Sequence, residues 1–173
     1  MFWLIAALAA LGLVTSLGVH GSTFFGVDPS WGGLSVWWLH GSALGLCALL
    51  WALAKARGLA AERVFERAPR WMLTTTACLF IYALVNFGLF FANSWEGMPV
   101  VEPDGTFAVR NHGDFVRSIS EDEFHHLRAL EVRGLSGHWM LFYSWSLSAA
   151  TSAARDVGSA TSASEHDHEL ELA

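Results

Sequence analysis

Residues 1–54 carry one charged side chain, Asp28, and residues 71–95 carry none. Uncharged runs of this length constrain the chain more than any motif in it. A segment crossing the hydrocarbon of a bilayer needs about 20 predominantly apolar residues, whereas soluble domains spread charge over about 25% of their positions. Here charged residues make up 15%, hydrophobic residues 53%, and the mean hydropathy is +0.38. The expected class is an all-α integral membrane protein built as a four-helix bundle.

The first apolar run covers 2–19. It reads as a retained span, because no Lys or Arg precedes it as a secretory leader would require. Residues 20–33 hold four glycines and a proline and read as a loop, with Phe24, Phe25 and Trp31 at headgroup level. The second span covers 34–54, with Trp37 and Trp38 at one interface and Trp51 at the other. Gly41 and Gly45 share a face there and are expected to let another helix approach closely. Residues 55–70 are basic. The third span covers 71–93 and carries Asn86, read as a packing contact, and Asn93 in its outer part. The positive-inside rule puts 55–70 in the cytoplasm of a cell (inner) membrane, together with the N- and C-termini.

The first domain is thus 1–93, and a second, extracytoplasmic module at 94–135 follows. Residues 106–110 and 115–119 alternate as strands, and Asn111, His112, Gly113 and Asp114 between them suit a hairpin turn. Ser120 followed by Glu123 matches a capping box, opening a helix over 121–133 that Gly134 is expected to stop. Residues 135–137 would turn the chain into a fourth span at 136–154, the most polar of the four, with Ser144, Ser146, Ser148, Thr151 and Ser152. The acidic stretch 155–173 reads as a disordered cytoplasmic tail.

Three histidines share the outer side of this topology: His20, His40 and His138. Imidazole ligates transition metals and haem iron, so they form a candidate metal site. His40 lies deepest and is expected to face the bundle interior, with Asn86 or Tyr143 as partner. Cys47 and Cys78 read as small packing residues. His125 and His126 each follow an acid by four positions on a solvated helix face. His166 and His168 in the tail read as inert.

No nucleophile elbow, phosphate loop, His-Glu-x-x-His or Cys-x-x-Cys occurs, and no carboxylate falls inside a span, which argues against a proton-driven transporter. A net charge of −6 without a basic patch excludes nucleic acid as partner. The leading reading is a structural or accessory membrane subunit without catalytic activity of its own. Its partners would be the lipid bilayer and a membrane-protein partner or a second copy of the chain, and no cofactor is expected. The competing reading is a haem- or metal-binding redox protein. A third, a solute- or lipid-handling protein using the aromatic outer cleft, draws on fewer residues.

Overall fold

The buried positions of the first helix, Phe2, Ile5, Ala6, Ala9, Gly12, Ser16, His20 and Thr23, recur every three or four residues. That spacing puts them on one face of an α-helix, and the helix built on it, α1, runs Phe2–Thr23. In the computed structural model, residues 1–29, 36–58 and 64–171 are described. Trp31, Glu62 and Arg63 lie outside them, as do the side chains of Asn93, His166 and His168. The other elements are α2 (Trp37–Ala56), α3 (Arg70–Asn93), β1 (Met98–Val101), β2 (Phe107–Asn111), β3 (Asp114–Ile119) and α4 (Glu121–Glu171). The protein is therefore mostly helical with a small three-stranded antiparallel sheet. Helices α1, α2 and α3 are long and apolar enough to cross a membrane.

α4 is the axis. α1, α2 and α3 each pack along it, and apart from a short α1–α2 seam they have little contact with one another. Its middle is buried on almost every side: Trp139 and Tyr143 are the largest fully buried side chains, followed toward the C-terminus by Ser144, Ser146, Ser148, Ala149, Ala150, Thr151, Ser152, Ala153 and Ala154. Small residues all round let three helices close in. The hydroxyls among them find partners on those neighbours. Thr76 of α3 is 2.7 Å from Ser144 and 3.2 Å from Ser148, Cys47 of α2 is 3.2 Å from Ser146, and Ser152 accepts the backbone N–H of Arg67 at 3.0 Å.

Three expectations need correction. α1 does not end at 19 but continues through Thr23, because Ser22 and Thr23 donate their hydroxyls back to the carbonyls of Val19 and His20. Gly134 does not stop a helix, and 135–137 do not form a link. The external helix and the fourth apolar segment are one helix of 51 residues, about 75 Å long at the usual rise. Glycine inside a helix costs about 1 kcal/mol relative to alanine, and here close packing offsets it. A Cβ at Gly134 would stand 2.5 Å from the Phe90 side chain, and one at Gly137 would stand 3.1 Å from Asn86 Nδ2. The helix also continues through Glu171, where a disordered tail was expected; that stretch contains no proline to end it.

The sheet has one strand more than expected. The order is β1-β2-β3, with Pro99 of β1 opposite Val109 of β2 and Asn111 of β2 opposite Asp114 of β3. Pro99 disguises β1 in the sequence, but it sits on an edge strand, where its missing N–H costs no ladder bond. The β2–β3 turn is the expected one: His112 and Gly113 have φ of 51° and 95°. Val116 is an extra residue where the pairing shifts between Val109 and Arg110, a β-bulge that re-aims the strand end. Ser120 Oγ accepts the Glu123 N–H at 3.2 Å, capping α4 as anticipated. The sheet rests on this first part of α4 through the Phe107 and Phe124 rings, 4.8 Å apart, and through Arg117, which bridges Glu123 at 2.7 Å and Glu96 at 3.3 Å.

Candidate functional site

Where the sheet-bearing part of α4 enters the bundle, polar side chains from three helices meet. His20 of α1 lies with Nδ1 2.7 Å from Ser136 Oγ of α4 and Nε2 2.5 Å from the Tyr82 hydroxyl of α3. Ser136 in turn donates to the Arg133 carbonyl at 3.1 Å. One proton assignment satisfies all three: His20 is neutral, its Nδ1–H donates to Ser136, and Tyr82 donates to Nε2. Asn86 of α3 donates to the carbonyls of Arg133 and Gly134, at 2.5 and 3.2 Å. Arg133 reaches across to the end of α1. Its guanidinium donates to the Thr23 carbonyl and to Thr23 Oγ1 and stacks on the Phe24 ring at 4.2 Å. A cation at the C-terminal end of α1 both occupies an orphan carbonyl and complements the helix dipole.

Above this collar the acids and bases are partnered. Asp28, almost fully buried, lies 3.4 Å from His125 Nδ1, and the expected Glu121–His125 pair is present at 3.9 Å. Burial pushes the Glu131 carboxyl above the usual carboxylate range, against the opposing pull of Arg128 beside it. On the sheet, the hydrogen bond from Arg110 holds the Glu102 carboxyl below that range.

The three histidines singled out in the sequence do not gather on one point. Both ring nitrogens of His20 are engaged, so it could ligate a metal only by giving up Tyr82. His138 packs edge-on against Phe87, with ring centroids 4.7 Å apart. Its Nδ1 is buried outside hydrogen-bond geometry. Among the described residues no group of three or more His, Cys, Asp or Glu could hold a metal ion. The partners foreseen for His40 are committed elsewhere: Asn86 as above, and Tyr143 to Ser42 at 2.5 Å and to the Leu39 carbonyl at 3.1 Å. Ser16 Oγ and Trp139 Nε1 are buried without a partner.

Gly41 and Gly45 also behave differently from expectation. A Cβ at either would meet nothing within 4 Å, so among the described residues they bring no helix closer. The close approaches fall at Gly12, against the Tyr143 ring, and at Gly134 and Gly137. Tyr82, Ser136, Arg133 and Thr23 were missed as site residues. One signal was available: Tyr82 and Asn86 are four apart in an otherwise apolar run, which makes a polar stripe on one helix face. Ser136 and Thr23 gave none.

No family model matches the chain, and no curated protein or solved structure matches it.

Proposed function

We propose that this is an integral membrane protein that crosses the bilayer four times, with α1, α2, α3 and the 136–154 part of α4 as its spans. It would lie in a cell (inner) membrane with the basic end of the bundle and both termini cytoplasmic and the sheet outside. The observation that carries this reading is the inverted distribution of polarity. Leu11, Val14 and Ile81 are 65%, 67% and 63% exposed on the outer helices, while the serines of α4 are buried. Water would penalise such a surface, and hydrocarbon would not.

Within that frame the protein serves as a structural or accessory subunit. Its polar collar spends imidazole, phenol, amide and guanidinium groups on clamping helices together, and the unbroken α4 carries the external sheet rigidly on the bundle. Placing a cysteine at Thr106 tests the orientation: impermeant reagents should label it from outside, and labelling from the cytoplasmic side would reverse the topology. Extraction of the protein by alkaline carbonate would remove the membrane reading altogether.

The second reading, a haem or transition-metal protein, now rests on His40 and on the unpartnered Nδ1 of His138. An absorption spectrum and metal analysis of the purified protein separate the two. A Soret band or stoichiometric metal that disappears in His40→Ala would put the redox reading first.

A further inference from the structure

We propose that the cleft between α2 and α3 binds an acyl chain of an anionic glycerophospholipid, whose phosphate is held at the basic end of the bundle. This rests on the four-span reading. Each helix packs on α4 rather than on the other, and the gap between them is a groove of about 660 Å³. Its floor is Leu141, Phe142 and Trp145 of α4, and Leu73 and Phe80 of α3 line one wall. The polar side chains that reach it, Cys47 and Thr76, already bond to serines of α4. Apart from the indole N–H of Trp145, the lining of the groove is apolar or already bonded, which suits a run of methylenes. A partner helix suits it less, because close pairing of helices uses small residues and large side chains here keep backbones away.

Charge decides the headgroup. The groove reaches the Phe65–Trp145 pair, whose ring centroids are 5.4 Å apart, and beyond that pair lies a second cleft lined by Lys55. Arg70 stands one turn before Leu73 on α3, so it shares the groove's face. Among the described residues at this end, Lys55, Arg57, Arg67, Arg70 and Arg155 outnumber Glu66 and Asp156. Arg67 is committed to Asp156 at 2.9 Å, and the Lys55 ammonium lies over the Trp51 ring, 5.2 Å from its centroid. A ring face leaves ammonium hydrogens free for phosphate oxygens. Such a site matches the anionic lipids of a cytoplasmic leaflet, whereas a zwitterionic headgroup would leave the basic end without a counter-charge.

The test reconstitutes the full chain in nanodiscs of equal phosphatidylglycerol and phosphatidylcholine, extracts it in mild detergent and counts retained lipid by native mass spectrometry. Phosphatidylglycerol should be retained in preference, and Lys55→Ala should reduce that preference about fivefold, the factor one basic side chain contributes near an anionic surface. Ala77→Trp, on the exposed wall of the groove, should lower retention of both lipids while the helical content stays unchanged. Equal retention of the two lipids, an unaltered count in Ala77→Trp, or a second copy of the chain seated in the groove overturns the proposal. Protein released from membranes by carbonate would instead remove the four-span reading beneath it, so the two failures are separable.

Discussion

Helices α1, α2 and α3 turn large apolar side chains outward, Leu11, Trp51 and Ile81 among them, while α4 between them buries Ser136, Ser144, Ser146, Ser148, Thr151 and Ser152. The most polar of the four apolar segments is the innermost one. Hydropathy therefore reports what a helix touches rather than how deep it sits. The outer helices each present a face that needs an apolar environment. The small-residue faces of α4 meet protein there, so its hydroxyls are tolerated wherever a neighbour bonds them, and its small side chains let those neighbours approach. The same contrast runs through the glycines: Gly12, Gly134 and Gly137 are pressed against another helix, whereas Gly41 and Gly45 face open space.

Substitutions matched between the two regions test that contrast. The largest effect is expected at Trp139, which is 0% exposed, against Trp51, which is 62% exposed. Trp139→Ala should cost about 3–5 kcal/mol through the cavity it leaves, and Trp51→Ala should stay within about 0.5 kcal/mol, as read by denaturant unfolding in micelles. Trp139→Phe sharpens the point. It keeps most of the packing and removes a buried N–H that has no partner, so it should cost far less than the alanine variant. Equal losses at Trp139 and Trp51 would mean that α4 is not the axis.

Next come the glycines. Gly134→Leu drives a side chain into Phe90 and should cost about 1–3 kcal/mol by overpacking, while Gly41→Leu should leave the monomer's stability unchanged. If Gly41→Leu instead altered the oligomeric state, the open face of α2 would be an interface.

Smaller still is the interhelical hydroxyl contact. A double-mutant cycle of Thr76→Ala and Ser144→Ala should return a coupling of about 0.6 kcal/mol, the average for such bonds inside membrane bundles. A coupling of zero would make these hydroxyls tolerated passengers rather than fastenings.

The smallest effect is on the sheet, outside the bundle. Arg110 holds the Glu102 carboxyl below its ordinary range, so the pair's contribution is present above the ordinary carboxylate pKa and is lost as pH falls through the lowered one. Protection factors of the sheet amides, taken relative to intrinsic exchange at each pH, should fall over that window in the native protein. Glu102→Gln should abolish the pH dependence.

Much of the sheet-bearing module was legible because its signals are local. His112 and Gly113 form the foreseen turn and Ser120 the foreseen cap, since turns and caps are set by a few neighbouring residues. β1 was not legible, because a proline inside a four-residue run argues against a strand unless the run is known to lie at an edge. The helix break at Gly134 was misread for a related reason. A glycine that ends a helix and a glycine that admits a neighbour look alike in sequence, and only Phe90, some forty positions earlier, distinguishes them.

By itself, the sequence determined the three long apolar segments, the hairpin turn, the start of α4 and the asymmetry of charge between the two ends. Each depends on composition or on residues within one turn of one another. Only the tertiary structure decided that α4 is a single helix and the core, that His20 joins Tyr82 and Ser136 instead of His40 and His138, and that α2 and α3 leave a groove between them. Those outcomes depend on which faces meet. For α4, mostly small and weakly polar between Ser144 and Ala154, the face is set by the three helices around it and not by any periodicity of its own.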